Sequence, residues 1–291
     1  MKRLKILLCT VLAMLMSLCL FACGDDPDSQ TEPDPEPSPG VEDIQITHHD
    51  RTVDAVVYRP DKSRFPVVIL SHGFNGSKAD FDGVARYLLE YGIGSIAIQF
   101  CGSGVHDASG FPTTSMTLFT EKEDLIAVMD YAKALKWYNG SLFLFGGSQG
   151  GMVSAMAGHE RAADVKGMVL MFAGFSIPDD WNGPNHYPPA TYPTYESIPA
   201  IIPWWGVNLG RDFVWTLRNL DIYAEMVSFT KPVLLMHGTS DDIVPYEYSV
   251  RAKNTYPDAE LLSYPGEGHG FTPSTMGDVQ EQLRYFIEDN G

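Results

Sequence analysis

Basic residues are scarce in this chain. Its 291 residues carry 20 Lys and Arg against 37 Asp and Glu, a formal net charge of −17. A nucleic-acid binder needs a basic footprint, so that class is excluded. Cysteine is sparse too. There are four in all, and Cys9, Cys19 and Cys23 fall within the first 23 positions. No disulfide framework can hold such a chain together. The apolar run Ile6–Phe21 has 16 residues, short of the ~20 that span a bilayer as a helix. Internal repeats are lacking, and the composition excludes collagen, coiled coil and global disorder. What is present is 44% hydrophobic residues, enough to bury the core of one large domain or two small ones.

The N-terminus reads as a targeting segment. Lys2, Arg3 and Lys5 precede the uncharged run, which ends Leu20-Phe21-Ala22-Cys23. Charge, length and a small residue before cysteine make this a secretory signal over residues 1–22. The boundary resembles the lipobox of bacterial lipoproteins, which implies lipid on Cys23 and a membrane-anchored place at the cell envelope. An ordinary cleaved signal or an uncleaved anchor is the plainer alternative. Residues 23–40 follow as a tether. Asp25 to Gly40 holds five prolines and six acids, with no aliphatic or aromatic residue, so it has nothing to bury and stays extended. Removal of residues 1–22 takes away three basic charges and leaves −20; the six tail acids then leave −14 for residues 41–291.

Residues 41–291 alternate strands and helices. Short apolar runs at 66–71, 95–100, 141–145, 165–172 and 232–236 read as strands buried on both faces. Residues 44–47, 53–59 and 260–264 complete the strands. Helical spacing covers 80–91, 121–136, 149–159, 246–256 and 278–288. The alternation predicts an α/β fold, a mostly parallel sheet with helices on both faces. One segment, about 174–218, breaks the rhythm. It contains seven prolines and four of the five tryptophans: Trp181, Trp204, Trp205 and Trp215. It is too long for a connecting loop and too aromatic for a linker, so it reads as an inserted cap.

The chemistry gathers at strand ends. Gly146-Gly147-Ser148-Gln149-Gly150 is G-x-S-x-G between a buried strand and a helix. In that setting the serine sits on a sharp, strained turn beside a helix N-terminus. Its hydroxyl needs a base. Of eight histidines, His269 stands in a glycine-rich loop past the last strand and can reach the strand ends. The other histidines, His72 and His237 among them, read as packing or surface residues. The orienting acid is expected on the loop after residues 232–236. Asp241 is favoured there, with Asp242 as the alternative.

The order Ser148, Asp241, His269 is that of the α/β-hydrolases, and the chain resembles that superfamily over nearly all of residues 41–291. Within it the chain resembles the cinnamoyl/feruloyl esterases and related acyl esterases. The cues are His72-Gly73-Phe74, Gly146–Gly151, His237–Pro245 and Gly268-His269-Gly270. The resemblance implies an oxyanion hole from the backbone N–H groups of Phe74 and Gln149, no cofactor and no metal. It departs at Cys101-Gly-Ser-Gly-Val-His106, where relatives show Gly-His-Gly-x-Ser, which leaves that loop's shape open.

The expected function is a serine carboxylesterase acting through an acyl-enzyme, on feruloyl, cinnamoyl or acetyl esters of plant polysaccharide. The cap tryptophans either bind a flat acyl group or sugar ring, or form the cap's own small core. Alternatives are a lipase of short-chain esters, or a binding lipoprotein on an inactive hydrolase scaffold. The expected partners are an ester substrate and, through Cys23, a membrane.

Overall fold

The computed structural model describes residues 39–182 and 192–291. The leader, Cys23 and most of the tether lie outside the described residues, as do cap residues 183–191 with His186.

The strands in chain order are β1 (Gly40–His48), β2 (Arg51–Arg59), β3 (Phe65–Ser71), β4 (Gly94–Gln99), β5 (Tyr138–Gly147), β6 (Gly167–Met171), β7 (Ile201–Trp204), β8 (Val207–Gly210), β9 (Val233–Gly238) and β10 (Ala259–Tyr264). Eight of them form one sheet in the order β1-β2-β4-β3-β5-β6-β9-β10. β1 and β2 pair antiparallel, β2 is antiparallel to β4, and every pairing from β4 to β10 is parallel. β1 begins at Gly40, the last residue expected in the tether.

Among the described residues the α-helices are α1 (Asp82–Glu90), α2 (Leu118–Ala134), α3 (Gln149–Glu160), α4 (Ile177–Asn182), α5 (Arg211–Thr216), α6 (Ile222–Met226), α7 (Glu247–Thr255) and α8 (Pro273–Asn290). Strand alternation sorts side chains into two cores. Val68, Leu70, Phe143 and Phe145 face α1 and α8, meeting Leu88, Val279 and Leu283. Val67, Ile69, Leu142 and Leu144 face the opposite way, toward Leu125 and Val128 of α2 and Met152 and Val153 of α3. The expected strands and helices are all present, but two helices start earlier than their apolar spacing predicts. α2 opens at Leu118 because Thr117 and Thr120 form a reciprocal cap. α8 opens at Pro273 because Thr272 caps it and proline suits a first helical position.

This order places the site. After β3 the chain passes through α1 to β4 on one side; after β5 it passes through α3 to β6 on the other. The loops leaving the adjacent carboxyl ends of β3 and β5 therefore diverge and leave a crevice between them, the usual ligand position of an open α/β sheet. The cap lies between β6 and β9 in sequence. Besides α4 and α5 it holds the antiparallel β7–β8 hairpin, which the proline-rich sequence did not announce. Trp205 and Gly206 turn that hairpin with φ of 40° and 85°, the sign pattern of a type I′ turn.

Candidate active site

Ser148 sits between β5 and α3 with φ 54° and ψ −125°. That conformation costs about 1–3 kcal/mol and persists only when its surroundings fix it. Here they do. The Ser148 N–H donates to Met171 O at 3.0 Å, and Ser148 O accepts from Gly174 N at 2.8 Å and Gly151 N at 3.0 Å. The flanking glycines are needed for space. A Cβ on Gly150 would overlap the carbonyl oxygens of Ser71 and His72, and one on Gly146 would overlap the carbonyl of Gly150. The G-x-S-x-G spacing thus lets α3 start against the end of β3.

His269, Ser148 and Asp241 come together in one chain of hydrogen bonds. Ser148 Oγ lies 3.0 Å from His269 Nε2, and His269 Nδ1 lies 2.8 Å from Asp241 Oδ2. With the carboxylate as acceptor, Nδ1 carries the proton and Nε2 accepts from the serine hydroxyl. The imidazole rests on Phe172, ring centroids 4.5 Å apart. The acid and histidine loops are laced together by Ser240 N to Glu267 O (2.9 Å) and Thr239 N to Tyr264 O (3.0 Å).

Of the two aspartates after β9, Asp241 turns inward and Asp242 stays exposed at the cavity wall. Asp241 Oδ1 accepts from the amides of Ile243 and Val244, both at 2.9 Å. His237, a packing residue by its sequence setting, supplies a further partner. It is fully buried, and its Nε2–H faces both Val244 O (2.9 Å) and Asp241 Oδ2 (3.2 Å), while Ser249 Oγ–H donates to Nδ1 at 2.6 Å. Burial pushes the Asp241 carboxyl up, but the hydrogen bonds from His237, His269, Val244 and Ile243 outweigh it and hold the group well below the usual carboxylate range.

Phe74 and Gln149 line the same cavity as Ser148. Gln149 is the first residue of α3, where backbone N–H groups have no partner within the helix. The turn bearing Phe74 is pinned by buried His72. The His72 Nδ1–H donates to Gly73 O at 2.8 Å, and Nε2 accepts from Phe100 N at 3.3 Å and Gln99 Nε2 at 3.2 Å. Burial lowers the His72 pKa, which fits this neutral ring. Asn75 joins three loops: Oδ1 accepts from Val105 N (3.0 Å) and Nδ2 donates to Trp205 O (3.4 Å). The loop after Phe100 is shaped by Asp107, which accepts from Gly102 N at 2.8 Å, and His106 is exposed.

The cavity is about 280 Å³. Trp181, Trp204 and Trp205 form part of its wall, with Phe213. Trp204 and Trp205 stack nearly parallel, 5.5 Å between centroids, and Trp205 meets Phe74 edge-on at 6.2 Å. Trp181 is buried in the cap core, which continues the core on the α2–α3 face of the sheet. Trp215 is not part of the wall; it packs against Tyr195 with the Arg218 guanidinium over its ring. The two readings of the cap aromatics therefore divide by residue. Trp181 serves both, Trp204 and Trp205 face the cavity, and Trp215 does not.

A family model described as serine aminopeptidase S33 (Hydrolase_4) matches residues 62–228, more than half of the chain. This chain belongs to the Hydrolase_4 family. A second model, described as TAP-like protein, matches residues 215–290. Together the two Hydrolase_4 and TAP-like matches run from before β3 to the last turn of α8, and the sheet order is that of an α/β-hydrolase. A solved structure of Est1E from Butyrivibrio proteoclasticus with ferulic acid bound is 26% identical, with a TM-score of 0.77 over 85% of this chain and 98% of that one. A bifunctional esterase/perhydrolase, DCH, from Acinetobacter calcoaceticus is 28% identical over 98 residues, 31% of this chain and 36% of its own length. An esterase from Aedes aegypti is 33% identical over 73 residues, 25% of each chain. The match thus spans about a third or less of these two curated relatives.

Proposed function

We propose that this Hydrolase_4 member is a serine carboxylesterase working through an acyl-enzyme, with a preference for esters of flat aromatic acids such as hydroxycinnamates. The observation that carries the reading is the hydrogen-bonded chain Ser148–His269–Asp241 opening on an aromatic-walled cavity. His269 takes the serine proton as Ser148 Oγ attacks the ester carbonyl. Asp241 holds the imidazole tautomer and stabilises the imidazolium. The amides of Phe74 and Gln149 receive the developing oxyanion. His269 then protonates the departing alcohol, and water cleaves the acyl-enzyme by the same route. The esterase names of the relatives, and the ferulic acid bound in Est1E, support this choice of bond and acyl group.

The N-terminal pattern supports export and lipid attachment at Cys23, with the acidic stretch spacing the enzyme from a membrane. The test has three arms. The protein lacking residues 1–40 is assayed on p-nitrophenyl acetate, on methyl ferulate and on an aminoacyl p-nitroanilide. Hydrolysis of both esters, with higher kcat/KM on the ferulate, is expected. Turnover of the anilide alone would replace the esterase reading by a peptidase one. Acetate hydrolysis with an inert ferulate would remove the aromatic preference. For the anchor, Cys23→Ser in the full chain should release the protein from membranes; retention would overturn lipidation at that residue.

A further inference from the structure

Glu121 is a buried acid that none of these steps uses. It lies in the first turn of α2, is 1% exposed, and accepts a hydrogen bond from Gln149 Nε2 at 2.8 Å. Gln149 is itself 3% exposed. Its backbone bears one proposed oxyanion donor, while its side chain reaches across to the neighbouring helix. The carboxamide and the N–H belong to one residue, so whatever holds the former limits where the latter points.

We infer that Glu121 is a positioning residue for the oxyanion hole: by accepting from the Gln149 carboxamide it fixes the first residue of α3, and with it the N–H aimed beside Ser148. The inference rests on the esterase reading above. A second consequence comes from charge. A helix N-terminus favours an ionised carboxyl, yet burial outweighs this and pushes Glu121 up to about 8; the Gln149 hydrogen bond pulls it down and Asp124, one turn along, adds to the rise. The other charges on neighbouring elements are engaged elsewhere. Arg51 of β2 pairs with Asp124 and Glu123, and Lys122 pairs with Glu160 of α3. The Cys101 thiol after β4 lies by Asp124 and is itself pushed up to about 12 by burial. Above about pH 8 Glu121 places an anion one side chain behind a site that must stabilise another anion. Turnover therefore falls on the alkaline side because of this group.

The experiment compares Glu121→Ala and Glu121→Gln with wild type, measuring kcat and KM for a short-chain p-nitrophenyl ester from about pH 6 to 10. Glu121→Ala should lower kcat about 10-fold with KM little changed, as expected when a transition-state contact is loosened without loss of substrate binding. Glu121→Gln keeps the acceptor and cannot ionise. It should restore neutral-pH kcat and flatten the fall above about pH 8. An active wild type whose alkaline fall persists unchanged in Glu121→Gln would overturn the inference. So would a Glu121→Ala variant that raises KM alone. If wild type neither hydrolyses esters nor reacts with a fluorophosphonate at Ser148, the esterase reading falls and takes this inference with it.

Discussion

The strand-end machinery and the cap are built by different means. Around Ser148 the backbone itself does the work. Gly146 and Gly150 leave no room for a Cβ, Ser148 holds a strained conformation through main-chain partners, and Asp241 is fixed by two amides and two imidazoles. In the cap the wall is made of side chains. Trp204 and Trp205 come from a hairpin whose tip is 57% exposed at Trp205, and its hydrogen bond to the strand-end loops there comes from the Asn75 side chain. The lesson is a division of labour: the Ser148–His269–Asp241 geometry is locked mainly by main-chain contacts, and in the proposed function acyl selection falls to cap residues that can change without disturbing it.

The largest expected effect tests the locked half. Ser148→Ala should lower kcat on any accepted ester by ~10⁴-fold or more; a loss of less than about 100-fold would mean that another group performs the attack. Next comes His237→Ala, which removes one of the four hydrogen bonds on Asp241. Its kcat should fall about 10-fold, since unpairing a buried charged acceptor costs about 1–3 kcal/mol. The bond from His237 favours the carboxylate, so its loss moves the Asp241 pKa up toward the usual carboxylate range. An unchanged kcat would show that His237 only packs.

The cap half should respond more weakly and selectively. Trp205→Ala should raise KM for methyl ferulate about 10-fold and affect p-nitrophenyl acetate much less, because aromatic contact is lost only for the larger acyl group. Trp215→Ala should leave both substrates within about 2-fold, as expected for a residue outside the cavity wall. Equal losses on both esters for Trp205→Ala would erase the proposed division.

The smallest effect is on stability. A free glutamate ionises near 4.5, whereas Glu121 keeps its proton to about 8. The folded state binds more protons across that window, so the contribution of Glu121 to stability declines as pH rises through it. Glu121→Gln removes the slope. Its melting temperature relative to wild type should therefore rise by on the order of 5 °C between about pH 5 and pH 8.5. A difference that is the same at both pH values would mean that Glu121 titrates normally.

Much of the strand-end half was legible in the sequence, because its parts are local. Runs such as Val67–Leu70 and Leu142–Phe145 announce buried strands, and the serine motif carries its own turn. His269 stands out by its glycine neighbours. Asp241 and Asp242 were separable only in part, since the deciding contacts are the amides of Ile243 and Val244 and the ring of His237. Residues acting across the fold were not legible. Glu121 lies 28 positions before Gln149, and its burial depends on how α2 meets α3. His237 reads as packing because its partner Asp241, only four positions on, is brought onto the ring by a turn that the sequence does not specify. The cap hairpin escaped notice because Pro203 stands inside β7 and the turn is Trp-Gly, not the Asn-Gly or Asp-Gly that usually signals a type I′ turn.

Gly150 has one further consequence. Its Cα abuts the carbonyls of Ser71 and His72, so the loops after β3 and β5, each bearing one proposed oxyanion amide, are set apart by hard backbone contact. A steric spacer sets a floor on separation. The gap between the two amides thus keeps a minimum width for as long as β3 and β5 stay packed, and neither loop can close over the space that the developing oxyanion needs.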